Sequence, residues 1–167
     1  MHATLSDFLL LYFDAVSGRQ ISYNLVGQMI QDVNLRAELG ISPIVILILG
    51  SNNLRNGGDP MEVADLFRDF IENILLCEKT HVILTGIITS HRTDESSKKT
   101  FSKLSKELKK ISNKYRYKCS FINTSKLFVS HNVLNTEFYS DDGLHLNPMG
   151  ACKLAGGLWA ALRNIFL

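Results

Sequence analysis

Asp142 and His145 stand three residues apart in a run that reads Phe138-Tyr139-Ser140-Asp141-Asp142-Gly143-Leu144-His145-Leu146-Asn147-Pro148. A carboxylate that near an imidazole can hold the ring in one tautomer, and a ring so held can take a proton from a nucleophile. The short spacing lets both side chains project from one loop toward one pocket. Asp141, the adjacent carboxylate, is expected to be solvated. His2, His81, His91 and His131 show no pairing at ligand spacing, and no glycine-rich phosphate cradle occurs, so neither a metal nor a cofactor is expected.

The elements that must position this pair alternate between strand and helix signals. Ile44-Val45-Ile46-Leu47-Ile48-Leu49 is an unbroken apolar run closed by Gly50, as expected of a strand buried on both faces. Residues 82–88 repeat the pattern, residues 119–123 give a shorter third strand, and the apolar run 8–13 reads as a further buried segment. Asp59-Pro60 supplies a cap and a first-turn proline for a helix to about Leu76, with Ala64, Phe67, Ile71, Ile74 and Leu75 inward. Asn147-Pro148 does the same for a C-terminal helix carrying Leu154, Leu158, Leu162 and Ile165, and a further helix is expected over residues 22–39. Strands alternating with helices of this length predict an α/β class: a three-layer α/β/α sandwich around a parallel sheet. Ligands in such sheets bind beyond the carboxyl ends of the strands. No internal repeat or linker divides the 167 residues, so a single domain over 1–167 is expected.

Composition excludes several classes. A 46% hydrophobic and 20% charged content fits a folded globular chain, and no run approaches the roughly 18 apolar residues of a membrane span. Cys77, Cys119 and Cys152 form no paired framework; they read as small core residues in a reducing, cytoplasmic or otherwise intracellular setting. The net charge of +2 conceals an asymmetry, because residues 98–118 carry nine Lys and Arg against Glu107 alone, or +8, leaving −6 for the rest. Phe101, Leu104, Leu108, Ile111 and Tyr115 recur there at helical spacing, so one face is apolar and the other basic. That face is either a solvated helix surface or a platform for a nucleic-acid backbone or another anionic surface.

Ser17-Gly18, Gly50-Ser51-Asn52-Asn53 and Asp142-Gly143-Leu144-His145-Leu146-Asn147 together resemble, in order and spacing, the second, third and fifth blocks of the SGNH (GDSL-type) hydrolase superfamily. The likeness spans roughly residues 14–165, with Asn53 where that family's Gly-x-Asn-Asp signature ends in Asp. It implies a sheet of flavodoxin-like strand order and hydrolysis of carboxylic esters, acyl or acetyl, by a Ser-His-Asp mechanism. His145 would be the base, Asp142 its orienting acid, and the Gly18 amide and Asn52 side chain the oxyanion donors. The substrate would be a small-molecule ester.

The family's first block, a strand ending in Gly-Asp-Ser, does not occur in the sequence. The resemblance therefore implies a domain lacking its first strand, N-terminally incomplete, with catalysis impaired for want of the nucleophile. Ser17 is the candidate for a relocated nucleophile, ahead of Ser6, which has neither a strand before it nor a glycine beside it. The alternative is a non-catalytic module on the same fold, a pseudoenzyme of retroelement or regulatory type that binds RNA or another anionic partner through the basic helix.

Overall fold

The computed structural model describes residues 44–76, 80–90, 92–131 and 133–166. The buried segment expected over 8–13, the helix expected over 22–39, Ser6, Ser17, Gly18, His2, His91 and Cys77 lie outside the described residues. Within them the order is β1 (Ile44–Leu47), α1 (Ser51–Arg55), α2 (Pro60–Leu75), β2 (His81–Thr85), α3 (Glu95–Lys114) and β3 (Cys119–Ile122). There follow a 3-10 turn at Thr124–Phe128, β4 (Val129–Ser130), β5 (Val133–Leu134), a second 3-10 turn at Thr136–Phe138, and α4 (Pro148–Phe166).

The first three strands form one parallel sheet in the order β1-β2-β3. Register places Val45 beside Val82 and Cys119, and Leu47 beside Leu84 and Phe121. Side chains alternate across a strand, so these six share one face, and all pack with α2 and α3 in the main core. The opposite face carries His81, Ile83 and Ser120. Ile83 is fully buried, and Phe166 at the end of α4 meets the His81 ring edge-on at 5.0 Å. Helices thus reach both faces of the sheet, giving the expected α/β sandwich.

Local signals explain the helices. Asp59 caps α2 by accepting from the Met61 and Glu62 amides, with Pro60 in the first turn. Asp94 caps α3 in the same way through Ser97. Asn147 caps α4, its Oδ1 accepting from the Gly150 amide at 2.9 Å. Gly50 joins β1 to α1 at φ 96°, and a β-carbon there would stand 3.1–3.3 Å from Leu104, Phe67 and Ile87. Both the backbone conformation and the space select glycine.

Three expectations need correction. β2 ends at Thr85 rather than Ile88: the Gly86 amide still donates to the Ile122 carbonyl, and beyond it Ile88 packs into a second apolar cluster with Phe128, Phe138 and Tyr139. Cys152 is exposed on α4, whereas Cys119 is buried as expected. α4 also buries less than its leucine spacing suggested: Leu162 is buried, Leu154 and Leu158 are half-buried, and Ile165 is 37% exposed. Its packing is concentrated on the second cluster, where Leu154 joins and Gly157 lies against Leu127.

Gly150 fixes the start of α4. A β-carbon there would fall 2.2 Å from the Phe138 carbonyl oxygen, a backbone atom one residue before the loop that carries Asp142 and His145. Gly150→Ala is therefore expected to destabilise the protein by about 2–4 kcal/mol, read as a lower urea midpoint.

Candidate active site

The segment between Tyr139 and Asn147 is a closed loop. Tyr139 and Leu146 form an isolated antiparallel bridge, the Ser140 amide donates to the His145 carbonyl at 2.8 Å, and the Gly143 amide donates to Ser140 at 2.8 Å. Gly143 has φ 63°, the left-handed conformation that lets the loop turn back between acid and base. Asp142 Oδ1 accepts from the Leu144 and His145 amides at 2.8 and 3.0 Å. Its Oδ2 meets His145 Nδ1 at 2.5 Å.

Two backbone amides thus aim one carboxylate oxygen so that the other receives the ring proton. With Nδ1–H donating to Asp142, the neutral ring carries its free lone pair on Nε2, the arrangement that general-base catalysis requires. The His145 side chain is 71% exposed, and among the described residues nothing sits on Nε2. The imidazole and these amides hold the Asp142 carboxyl well below the usual carboxylate range, with the ring's hydrogen bond the largest cause. A depressed folded-state value means that the stabilisation is complete above the unfolded value of about 4 and is lost as pH falls through the lowered one. Exchange protection of the Leu144 and His145 amides is expected to persist from pH 7 to about pH 4 and to disappear only below it.

Two side chains, Asn147 and Tyr139, hold the loop. Asn147 Nδ2 donates to the Glu137 and Tyr139 carbonyls at 2.7 and 3.1 Å while its Oδ1 caps α4, so one amide side chain ties the loop to the helix. The Tyr139 ring is buried against Phe128, and its hydroxyl donates to the Thr89 carbonyl at 2.5 Å. Burial raises the Tyr139 phenol to about 12, so it remains a donor at working pH. Sequence reasoning missed Tyr139 and read Asn147 only as a cap.

The Thr89 contact locates the loop in the fold. Residues 86–90 leave the carboxyl end of β2 and are tied there: the Gly86 amide donates to the Ile122 carbonyl and its own carbonyl accepts from Thr124 Oγ1 at 2.6 Å. On the other side the Arg55 guanidinium, at the end of α1, donates to Ser90 Oγ at 3.3 Å. α1 carries Asn52 and Asn53 and leaves the carboxyl end of β1, the parallel neighbour of β2. Arg55 of the helix that carries Asn52 and Tyr139 at the start of the Asp142–His145 loop therefore both bond to residues 86–90, beyond the carboxyl end of β2. Asn53 is buried, and its carbonyl accepts from the Gly58 amide at 2.9 Å. Asp141 is exposed as expected. His81 Nε2 pairs with Ser120 Oγ at 2.9 Å, and His131 Nδ1 with Ser130 Oγ at 3.1 Å.

The Gly-x-Asn and Asp-x-x-His motifs are among those on which the resemblance rested, and the family model of GDSL-like lipases and acylhydrolases matches residues 3–151. The chain belongs to that family. Solved structures agree on the fold of this GDSL-like chain. A catalytic mutant of an acetylxylan esterase from Geobacillus stearothermophilus superposes with a TM-score of 0.69 at 19% identity, over 90% of this chain and 69% of the other. A carbohydrate esterase family 3 protein from Talaromyces cellulolyticus gives a TM-score of 0.66 at 17% identity over 89% and 69%. An acetyl esterase mutant with a bound acetate ion gives 0.67 at 17% identity over the same shares. No curated protein matches the chain by sequence. No helix among the described residues is long and apolar enough to cross a membrane.

Proposed function

We propose that this GDSL-like chain hydrolyses carboxylic esters of small acyl groups, acetyl esters first, with His145 as general base and Asp142 as its orienting acid. The observation that carries the proposal is the 2.5 Å contact between His145 Nδ1 and an amide-anchored carboxylate, with the ring open to solvent. Ser17 is the candidate nucleophile, and the Gly18 amide and Asn52 side chain are the candidate oxyanion donors. The serine oxygen attacks the ester carbonyl carbon and its proton passes to Nε2. Collapse of the tetrahedral adduct expels the alcohol, which takes that proton back. Water then adds to the acyl group by the same route, releasing the acid and restoring the serine.

Two of the solved structures named above are an acetylxylan esterase and an acetyl esterase with an acetate ion, which supports a small acyl group as the substrate's acid part. Because the sequence holds no Gly-Asp-Ser turn, turnover is expected to be slow. The test is hydrolysis of p-nitrophenyl acetate by the intact chain. Saturable turnover above that of the heat-denatured chain is expected, and its absence overturns the proposal. Mapping the site of diisopropyl fluorophosphate labelling then accepts or reassigns Ser17.

A further inference from the structure

α3 spends its apolar residues inward and presents a ridge of lysines outward. Phe101, Leu104, Leu108 and Ile111 are buried in the main core. At 100° per residue, Lys98, Lys99, Lys103, Lys106, Lys109, Lys110 and Lys114 all fall on the opposite half of the helix. Seven lysines against Glu95 and Glu107 leave this 20-residue helix with a charge of +5 along about 30 Å. Lys98, Lys110 and Lys114 are paired with Glu95, Glu107 and Glu72. Lys99, Lys103, Lys106 and Lys109 have no acidic partner among the described residues. Lys98, Lys99, Ser102, Lys103 and Lys106 line a shallow, open hollow.

The ridge runs into a turn with a different chemistry. Tyr117 is 82% exposed, the most exposed of the large apolar side chains described. The Arg116 guanidinium lies 4.9 Å from its ring centroid and donates to its hydroxyl at 2.9 Å, so one ring face is backed by a cation. Apolar burial does not explain an aromatic ring in this position.

We propose that the outer face of α3, with Arg116 and Tyr117, is a docking surface for single-stranded nucleic acid. A phosphodiester chain carries a charge at every residue and so matches a ridge of regularly spaced ammonium groups, and an unpaired base can stack on an exposed ring. An anionic membrane fits less well. Helices that lie on a bilayer bury an apolar stripe in it, and the stripe of α3 is already committed to the core. This surface is separate from the Asp142–His145 loop, so its failure leaves the hydrolytic reading standing, and the reverse holds too.

The probe is a fluorescein-labelled 20-nucleotide oligouridylate, titrated with the full chain at 50 and 200 mM salt and followed by anisotropy. Engaging the four acid-free lysines and Arg116 predicts a salt slope of about −3.5 and a loss of about 100-fold across that interval. Lys103→Gln with Lys106→Gln should reduce the slope by about 1.4. Tyr117→Ala should weaken binding about 10-fold or more and leave the slope unchanged. All three side chains are exposed, so the variants test binding without disturbing the core. Four results overturn the proposal: no binding at 50 mM salt, an affinity indifferent to Tyr117→Ala, displacement by polyglutamate as efficient as by unlabelled oligouridylate, or tighter binding to phosphatidylserine vesicles.

Discussion

His145→Ala is expected to lower kcat for p-nitrophenyl acetate by about 10³-fold or more while leaving KM nearly unchanged. The ring's work is confined to the reaction: it must accept a proton as the carbonyl is attacked and return it to the leaving alcohol. Its loss therefore removes an interaction made only in the transition state, which appears in kcat. The substitution is also clean structurally. The side chain is largely exposed, and the loop is held by Asn147, Tyr139 and backbone bonds that do not involve the ring. Thermal unfolding should be nearly unchanged, and added imidazole should restore part of the rate. An unfolded variant would show neither.

Asp142→Asn is expected to cost about 10³–10⁴-fold in kcat, although it changes few atoms. An asparagine can keep its carbonyl oxygen on the Leu144 and His145 amides, so the loop retains its shape. The atom then facing Nδ1 is an amide nitrogen, which donates where the carboxylate accepted. The ring must move its proton to Nε2 to meet it, and a protonated Nε2 cannot act as a base. Asp142→Ala should be worse for the fold than Asp142→Asn, since it leaves two loop amides without their acceptor. The low Asp142 carboxyl also bears on the pH–rate profile: the carboxylate stays ionised well below the usual carboxylate range, so its protonation does not cause a loss of activity between pH 7 and about pH 4.

Much of this arrangement was legible because it is local. Asp142 and His145 are three residues apart, and Gly143 between them supplies the one conformation that turns the carboxylate onto the ring. The caps at Asp59 and Asn147 and the apolar runs at 44–49 and 82–88 are short-range patterns; the caps lie where they are expected, and the strands stop at Leu47 and Thr85, two and three residues short of the runs. The anchors of the loop were not legible for the opposite reason. Tyr139 reaches the Thr89 carbonyl fifty residues away, and no periodicity marks a hydroxyl whose partner is a backbone atom elsewhere in the fold. The stretch from Thr124 to Phe138 likewise folds as two 3-10 turns around a two-residue hairpin, elements too short to leave a hydrophobic period. The exposed Cys152 and Ile165 show the limit of residue type as a guide to burial. Their helix buries only what the second cluster and the His81 face of the sheet can cover.

The most direct test of the account is a double-mutant cycle on p-nitrophenyl acetate turnover with His145→Ala, Asp142→Asn and the two combined. If the carboxylate acts only through the ring, removing it from a chain that already lacks the ring should cost nothing further, and the double variant should match His145→Ala within about twofold. Losses that multiply, or turnover that survives His145→Ala, would contradict the claim that these two side chains work as one base.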